Sequence, residues 1–182
     1  MKYTVVDGHC DTPMELWLRQ ENLRSNTCQV SLERAKKLSG YVQFYAFCTV
    51  WLEQDGSFEA HYAAALEHFN RQLDENKDQI VRCKNEADAR AAIGSGKCGA
   101  FLSIEGAEAI SCDPGKLELA CAQGVRMIAP AWNAQNALTG SCMTGGGLTA
   151  QGKEFVRRAQ KLGMILDVSH ISEKAFWDLC DI

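Results

Sequence analysis

The sequence predicts an α/β fold with a parallel β-sheet, because one local order of elements repeats along its 182 residues. An amphipathic helix ends at a glycine, and a short apolar strand and a polar loop follow. The clearest cases are the helices 86–93, 116–123 and 149–162, followed by the strands 99–104, 125–129 and 164–168. Glycine adopts the left-handed conformation that closes a helix at low steric cost. Short apolar strands that alternate with helices favour parallel pairing.

The N-terminal part of the chain adds two strands and a long helix. An apolar run near residues 3–9 predicts the first strand, and Pro13 stops it because proline lacks the N–H that a strand ladder needs. Residues 41–48 predict a second strand. Residues 58–76 predict an amphipathic helix, because large apolar side chains recur there at helical spacing. Five strands are therefore predicted, near residues 3–9, 41–48, 98–104, 125–129 and 164–168.

Five parallel strands fit two architectures: a small open sheet, or the first part of an eight-stranded barrel. Residues 173–182 are apolar and helix-like and carry no terminating signal. This ending is typical of a cut inside a larger domain. We therefore expect residues 1–182 to form a single partial domain that is incomplete at its C-terminus.

Composition excludes several classes of function. The net charge is −4 and no basic cluster occurs, which argues against a nucleic-acid partner. No segment has the length of a membrane-spanning helix, and the N-terminus lacks the pattern of a signal peptide. The nine cysteines are odd in number and have no C-x-x-C spacing, which favours reduced thiols over a disulfide framework. We expect a cytoplasmic protein without a membrane anchor.

His9 and Asp11 end the first strand, and residues two apart in a strand face the same side. Cys10 then points to the opposite side. An imidazole nitrogen beside a carboxylate oxygen suits a divalent transition metal such as zinc. The alternative is that Asp11 only orients His9. Asp7 shares the same face and either supports His9 or satisfies backbone groups near Gly8.

Two later strands also finish with side chains that can bind a metal. Glu105 ends the third strand and His170 follows the fifth. Each has another explanation: Glu105 could favour a helix N-terminus, and His170 could support the helix that Ser172 caps. Their joint position at strand ends favours metal binding, because parallel barrels gather these ends on one face. The remaining two histidines, His61 and His68, lie on one face of the long helix and are predicted to be ordinary surface residues.

These residues carry a resemblance to the membrane (renal) dipeptidase family, peptidase family M19, in its bacterial soluble form. The matching stretches are residues 7–13, 101–106, 146–149 and 162–172. The resemblance implies a (β/α)8 TIM barrel of the metal-dependent hydrolase type, here truncated after about the fifth strand. It implies a zinc-dependent dipeptidase with two Zn2+ ions per complete site, which hydrolyses the amide bond of dipeptides through a metal-bridging water.

The resemblance also assigns roles to residues. His9 and Asp11 would hold one zinc ion, Glu105 would bridge both ions, and His170 would hold the second. The remaining ligands, the general acid/base and a substrate-binding arginine are expected beyond residue 182. A homodimer is also implied.

One position departs from the family pattern. Trp132 stands where the mammalian enzymes have a substrate-contacting histidine, so Trp132 is expected to shape the substrate pocket and Asn133 to offer it a polar contact. A tryptophan at a strand end can equally serve packing alone.

Two other functions stay open. The first is another metal-dependent barrel amidohydrolase, although those families usually begin with His-x-His where this chain has Asp11 as the second residue. The second is a non-catalytic remnant that binds a metal or a peptide.

Overall fold

The computed structural model describes residues 3–52 and 58–182. Within these residues the strands are β1 (Thr4–Cys10), β2 (Gly40–Cys48), β3 (Ile80–Arg82), β4 (Cys98–Glu105), β5 (Val125–Ala129) and β6 (Ile165–Leu166). The helices are α1 (Thr12–Arg19), α2 (Leu32–Ala35), α3 (Phe58–Glu75), α4 (Glu86–Gly94), α5 (Leu117–Ala122), α6 (Ala150–Lys161) and α7 (Glu173–Cys180). Short 3-10 turns lie at Val50–Leu52, Ala107–Ile110 and Pro114–Lys116.

The strands form one sheet in the order β1-β2-β4-β5-β6, and β3 pairs with β4. The pairs β1–β2, β3–β4 and β5–β6 are all parallel. The predicted α/β fold with parallel strands is therefore confirmed. The glycines predicted to end helices, Gly124 and Gly163, adopt the positive φ angles of 105° and 69° that this role requires.

The described residues contain six strands, so the prediction of five was wrong by one. The additional strand, β3, has only three residues and no alternation of apolar and polar side chains. Helices α1 and α2 were also not predicted. Pro13 does end the first strand, but it also occupies the first turn of α1, where proline is favoured because its fixed φ suits the helix.

The chain divides into two compact units. The first unit contains residues 1–47 and 63–103. Its core includes the aromatic rings of Tyr45, Phe47 and Phe69. The ring centroid of Phe69 lies 4.8 Å from that of Tyr45 and 6.1 Å from that of Phe47. On the same β-sheet, Phe44 stacks on Phe101 at 4.7 Å. The single partial domain over residues 1–182 stays a prediction.

The second unit contains residues 48–62 and 104–182. Leu148, Val156, Ile171 and Ala175 form a buried cluster, against which side chains of β6 and α7 pack. Both helices of this cluster begin at capping side chains: the Thr149 hydroxyl accepts from the Gly152 N–H, and the Ser172 hydroxyl accepts from the Ala175 N–H. Ser172 therefore fixes the start of α7 two residues after His170.

His68 corrects one prediction. It was predicted to be a surface residue, but it is only 8% exposed, and its Nε2 atom lies 3.4 Å from the carbonyl oxygen of Glu21. Helical spacing shows which residues share a face with His68, but it does not show that this face is covered. His61 is half-buried.

None of the helices within residues 3–52 and 58–182 combines the length and apolar character that a membrane span requires. All nine cysteines are free thiols.

Candidate metal centre

His9 and Asp11 lie side by side at the carboxyl end of β1. The His9 Nε2 atom is 3.5 Å from the Asp11 Oδ1 atom. Asp11 also occupies the N-cap position of α1, but its carboxylate makes no capping hydrogen bond there. An N-cap aspartate ordinarily accepts from a first-turn N–H. Here the carboxylate lies beside the imidazole instead, which leaves it in place to bind a cation.

A β-bulge between Asp7 and Cys10 includes His9. Asp7 pairs with Gln43 and Cys10 with Tyr45, so three steps along β1 oppose two along β2. The Asp7 carboxylate accepts a hydrogen bond from the backbone N–H of His9 at 3.1 Å. Asp7 therefore holds the backbone of the bulge, in agreement with the alternative that it satisfies backbone groups near Gly8. Burial raises the pKa of the Cys10 thiol to about 12.

Glu105 and His170 form a second pair. Glu105 is the last residue of β4 and is buried, and its Oε1 atom lies 2.8 Å from His170 Nε2. Gly106 follows with φ +90°, so the chain turns directly after Glu105. A Cβ at this glycine would lie 2.9 Å from the Glu108 carboxylate and 3.3 Å from Val50, so the turn needs a residue without a side chain. His170 lies four residues after β6, later than the strand-end position that was predicted.

The two residues predicted to bind substrate both lie beside His170. The Asn133 Oδ1 atom is 3.1 Å from His170 Nδ1, and the Trp132 ring centroid is 6.3 Å from that of His170. The Asn133 side chain is exposed and Trp132 is half-buried. No sequence pattern indicates the contact between Asn133 and His170, because 37 residues separate the two.

The donor atoms fit a divalent metal ion. Within the first unit the His9 Nε2 and Asp11 Oδ1 atoms are 3.5 Å apart, and within the second the Glu105 Oε1 and His170 Nε2 atoms are 2.8 Å apart. Two atoms that bind one tetrahedral zinc ion at about 2.1 Å stand roughly 3.5 Å apart, so small side-chain movements allow each pair to hold an ion. An imidazole with a carboxylate is a donor set that zinc accepts. The residues that are present therefore fit a metal ion.

Glu108 lies in the turn that follows Glu105, and the sequence did not single it out. The Asn136 amide donates to its Oε1 atom at 3.0 Å, while its Oε2 atom is buried and makes no hydrogen bond within the described residues. Burial raises the pKa of this carboxyl group, and the Asn136 amide opposes the rise only in part.

Comparison with known proteins identifies the relatives of this chain. A family model described as "Membrane dipeptidase (Peptidase family M19)" matches residues 1–182. Dipeptidase tcpJ from Claviceps purpurea is 29% identical over 140 residues, which cover 71% of this chain and 33% of that protein. The chain spans less than two-fifths of the length of this protein and of two other curated relatives that it matches.

Solved structures show the same relationship. The dipeptidase AC, a metallopeptidase of family M19, superposes with a TM-score of 0.85 at 25% identity over all of this chain and 60% of its own. A metallopeptidase from Rhodobacter sphaeroides, solved with a phosphinate mimic of L-Ala-D-Ala, has a TM-score of 0.83 at 24% identity and is covered over 62% of its length. The predicted fold, a (β/α) barrel of the TIM type present only in part, is confirmed by this match.

Proposed function

Because the chain belongs to the membrane dipeptidase family, peptidase family M19, we propose that the complete protein is a zinc-dependent dipeptidase. The observation that carries the proposal is the pairing of a histidine with a carboxylate in two places: His9 with Asp11 and His170 with Glu105. Each pair combines donors that zinc prefers. Family membership supports a metal-dependent peptidase, and the proposal adds the metal, the number of ions and the dipeptide substrate.

Glu105 is the residue proposed to bridge the two ions. One of its carboxylate oxygens faces His170 Nε2 at 2.8 Å, which supports this role. A carboxylate with two oxygens can hold two ions a few ångströms apart. We propose that His9 and Asp11 hold one zinc ion, that His170 holds the second, and that Glu105 bridges them.

Metal ions held there would polarise the substrate carbonyl group and lower the pKa of a water molecule. The protein's own contribution is to fix the ligands and limit water. Glu105 is buried, so its charge acts with less solvent screening than a surface carboxylate would. Trp132, beside His170, presents an apolar wall suited to excluding bulk water from the substrate. We assign no general acid/base among residues 1–182.

Metal analysis and dipeptide hydrolysis by the complete protein test this proposal. We expect about two zinc ions per chain in the wild type. Glu105→Gln should lose at least one ion and lower kcat by at least about 100-fold, because an amide is a weak ligand and cannot bridge two ions as a carboxylate does. Glu118→Gln, a change at an exposed carboxylate that pairs with Arg158, is the matched control and leaves both values unchanged.

Three results would contradict the proposal. Unchanged zinc content in Glu105→Gln removes this residue from the centre. Turnover of cyclic amides without turnover of dipeptides assigns the protein to the other barrel amidohydrolases. Stoichiometric zinc without turnover of either substrate leaves the non-catalytic alternative.

The proposal includes a homodimer and a cytoplasmic location. Both follow from the family resemblance and the composition, and neither needs a membrane anchor. Sedimentation of the complete protein and fractionation of cells that express it measure them directly.

A further inference from the structure

We propose that Asn133 is a positioning residue that presents the Nε2 atom of His170 to the metal ion. The inference rests on the proposed metal centre and replaces the substrate contact expected for Asn133 from the sequence. The geometry is a chain of three side chains: Asn133 Oδ1 lies 3.1 Å from His170 Nδ1, and His170 Nε2 lies 2.8 Å from Glu105 Oε1.

The tautomer of the imidazole gives Asn133 this role. A neutral imidazole carries one N–H, and the nitrogen that binds a metal must offer its lone pair. An amide oxygen facing Nδ1 accepts the N–H there and leaves the lone pair on Nε2. That nitrogen is the one that faces Glu105, the proposed bridging ligand. Hydrogen bonds of this kind fix both the tautomer and the ring orientation of metal-binding histidines.

One loop holds the backbone of both Asn133 and His170. The Ser141 hydroxyl, which is fully buried, donates to the Asn133 carbonyl oxygen at 2.6 Å. The next residue, Cys142, donates its backbone N–H to the His170 carbonyl oxygen at 2.8 Å. Ser141 also pairs with Ile171 in an antiparallel bridge. Adjacent residues of one loop thus hold the two partners in register, although the Asn133 side chain itself is exposed.

Two substitutions at Asn133 separate orientation of His170 from contact with substrate. Asn133→Leu keeps the approximate size but removes the acceptor. Asn133→Asp keeps an acceptor oxygen and removes the amide donor that a substrate contact would use. Loss of such a partner costs about 10- to 100-fold in metal affinity, and we expect about 10-fold for Asn133→Leu because water can reach this exposed site. Asn133→Asp should stay within about threefold of the wild type, since a carboxylate serves the same purpose.

The first measurement is a titration of the metal-free complete protein with Zn2+, in competition with a chromophoric chelator. The second is long-range 15N–1H NMR of the zinc-bound complete protein, which observes the His170 Nδ1–H proton. We expect a resolved, slowly exchanging Nδ1–H in the wild type and in Asn133→Asp, and faster exchange of this proton with water in Asn133→Leu. Asn85→Ala, which removes the N-cap of α4, controls for general destabilisation and should leave the zinc affinity unchanged.

The outcomes distinguish this inference from the proposed function. If His170→Ala weakens zinc binding but Asn133→Leu does not, the centre stands and Asn133 has no positioning role. If Asn133→Leu binds zinc normally while Asn133→Asp raises KM, Asn133 contacts the substrate as first expected. If His170→Ala leaves both zinc equivalents in place, the proposed centre itself is wrong.

Discussion

At the scale of single residues, the arrangement of Asp11 departs from ordinary local preference. Its position at the start of α1 favours a capping hydrogen bond, which typically contributes about 1 kcal/mol to stability. The carboxylate makes no such bond and lies beside His9. We therefore expect the position of this carboxylate to serve function rather than local stability, because local rules are most often broken at functional sites.

Glu108 gives a pH-dependent prediction at the same scale. Burial raises the pKa of its carboxyl group above the unfolded value, so the contribution of this group to stability is greatest in acid and is lost as the pH rises. Glu108→Gln cannot ionise. We therefore expect the Tm of Glu108→Gln, relative to the wild type, to rise as the pH increases from about 4 to 7.

Glu118 provides the opposite control for this measurement. Its hydrogen bond with Arg158 lowers the pKa of the carboxyl group, so the stability it contributes is present at neutral pH and is lost in acid. Glu118→Gln should therefore lose Tm relative to the wild type as the pH rises over the same range. Thermal unfolding of the metal-free complete protein measures both variants, and parallel pH trends for the two would contradict the argument about Glu108.

The sequence indicates which residues can bind a metal more readily than it indicates which side chains contact them. His9, Asp11, Glu105 and His170 could be selected as candidates from the sequence, because their side chains suit a metal and because they lie at or shortly after strand ends. The partner of His170 could not be found, because Asn133 reaches it through the irregular loop between β5 and α6, which has no periodicity. The β1 bulge was missed for a related reason: strand parity assumes regular pairing, and the extra residue near Gly8 breaks it.

At the scale of elements, the sequence was informative where helices are long and amphipathic. The predicted helix at residues 58–76 corresponds to α3 at Phe58–Glu75. Short elements depend on tertiary pairing instead. β3 exists as three residues because β4 pairs alongside it, with Ile80 opposite Cys98, and the sequence of residues 80–82 has no strand pattern of its own.

Two helical glycines give opposite predictions for the same substitution. Alanine is better than glycine in a helix by about 1 kcal/mol. A Cβ at Gly94, the last residue of α4, meets nothing within 4 Å, so Gly94→Ala should stabilise the protein by about 0.5–1 kcal/mol. A Cβ at Gly152 in α6 would lie 2.0 Å from the Leu138 carbonyl oxygen, a contact that cannot form without moving the backbone.

We expect Gly152→Ala to destabilise the protein by more than about 2 kcal/mol, because the steric cost exceeds the gain in helix propensity. Urea unfolding of the complete protein, with Gly94→Ala as the matched variant, measures both effects. A gain in stability for Gly152→Ala would mean that α6 packs on residue 138 less tightly than the structure has it.

At the scale of the whole molecule, large apolar side chains lie exposed on the two outer strands of the sheet and on α7. Val6 of β1 is 66% exposed, Ile165 of β6 is 51% exposed and Trp177 of α7 is 60% exposed. Soluble monomers rarely leave an apolar strand edge open, since it offers unpaired backbone groups to another chain. A closed barrel has no such edges. This chain covers only 60% of a solved relative.

The 182 residues, produced alone, should therefore self-associate. We expect the average mass in solution to rise with protein concentration in the range of tens of micromolar. Ile165→Lys combined with Trp177→Lys should reduce this rise, because the two changes remove apolar surface and add charge. Gln29→Lys combined with Gln160→Lys adds the same two charges at exposed polar positions and is the matched control. Sedimentation velocity over a concentration series measures the effect. A monomer at every concentration would show that the exposed faces of β6 and α7 do not drive association. Equal effects of the two double variants would show that net charge, and not these apolar faces, controls it.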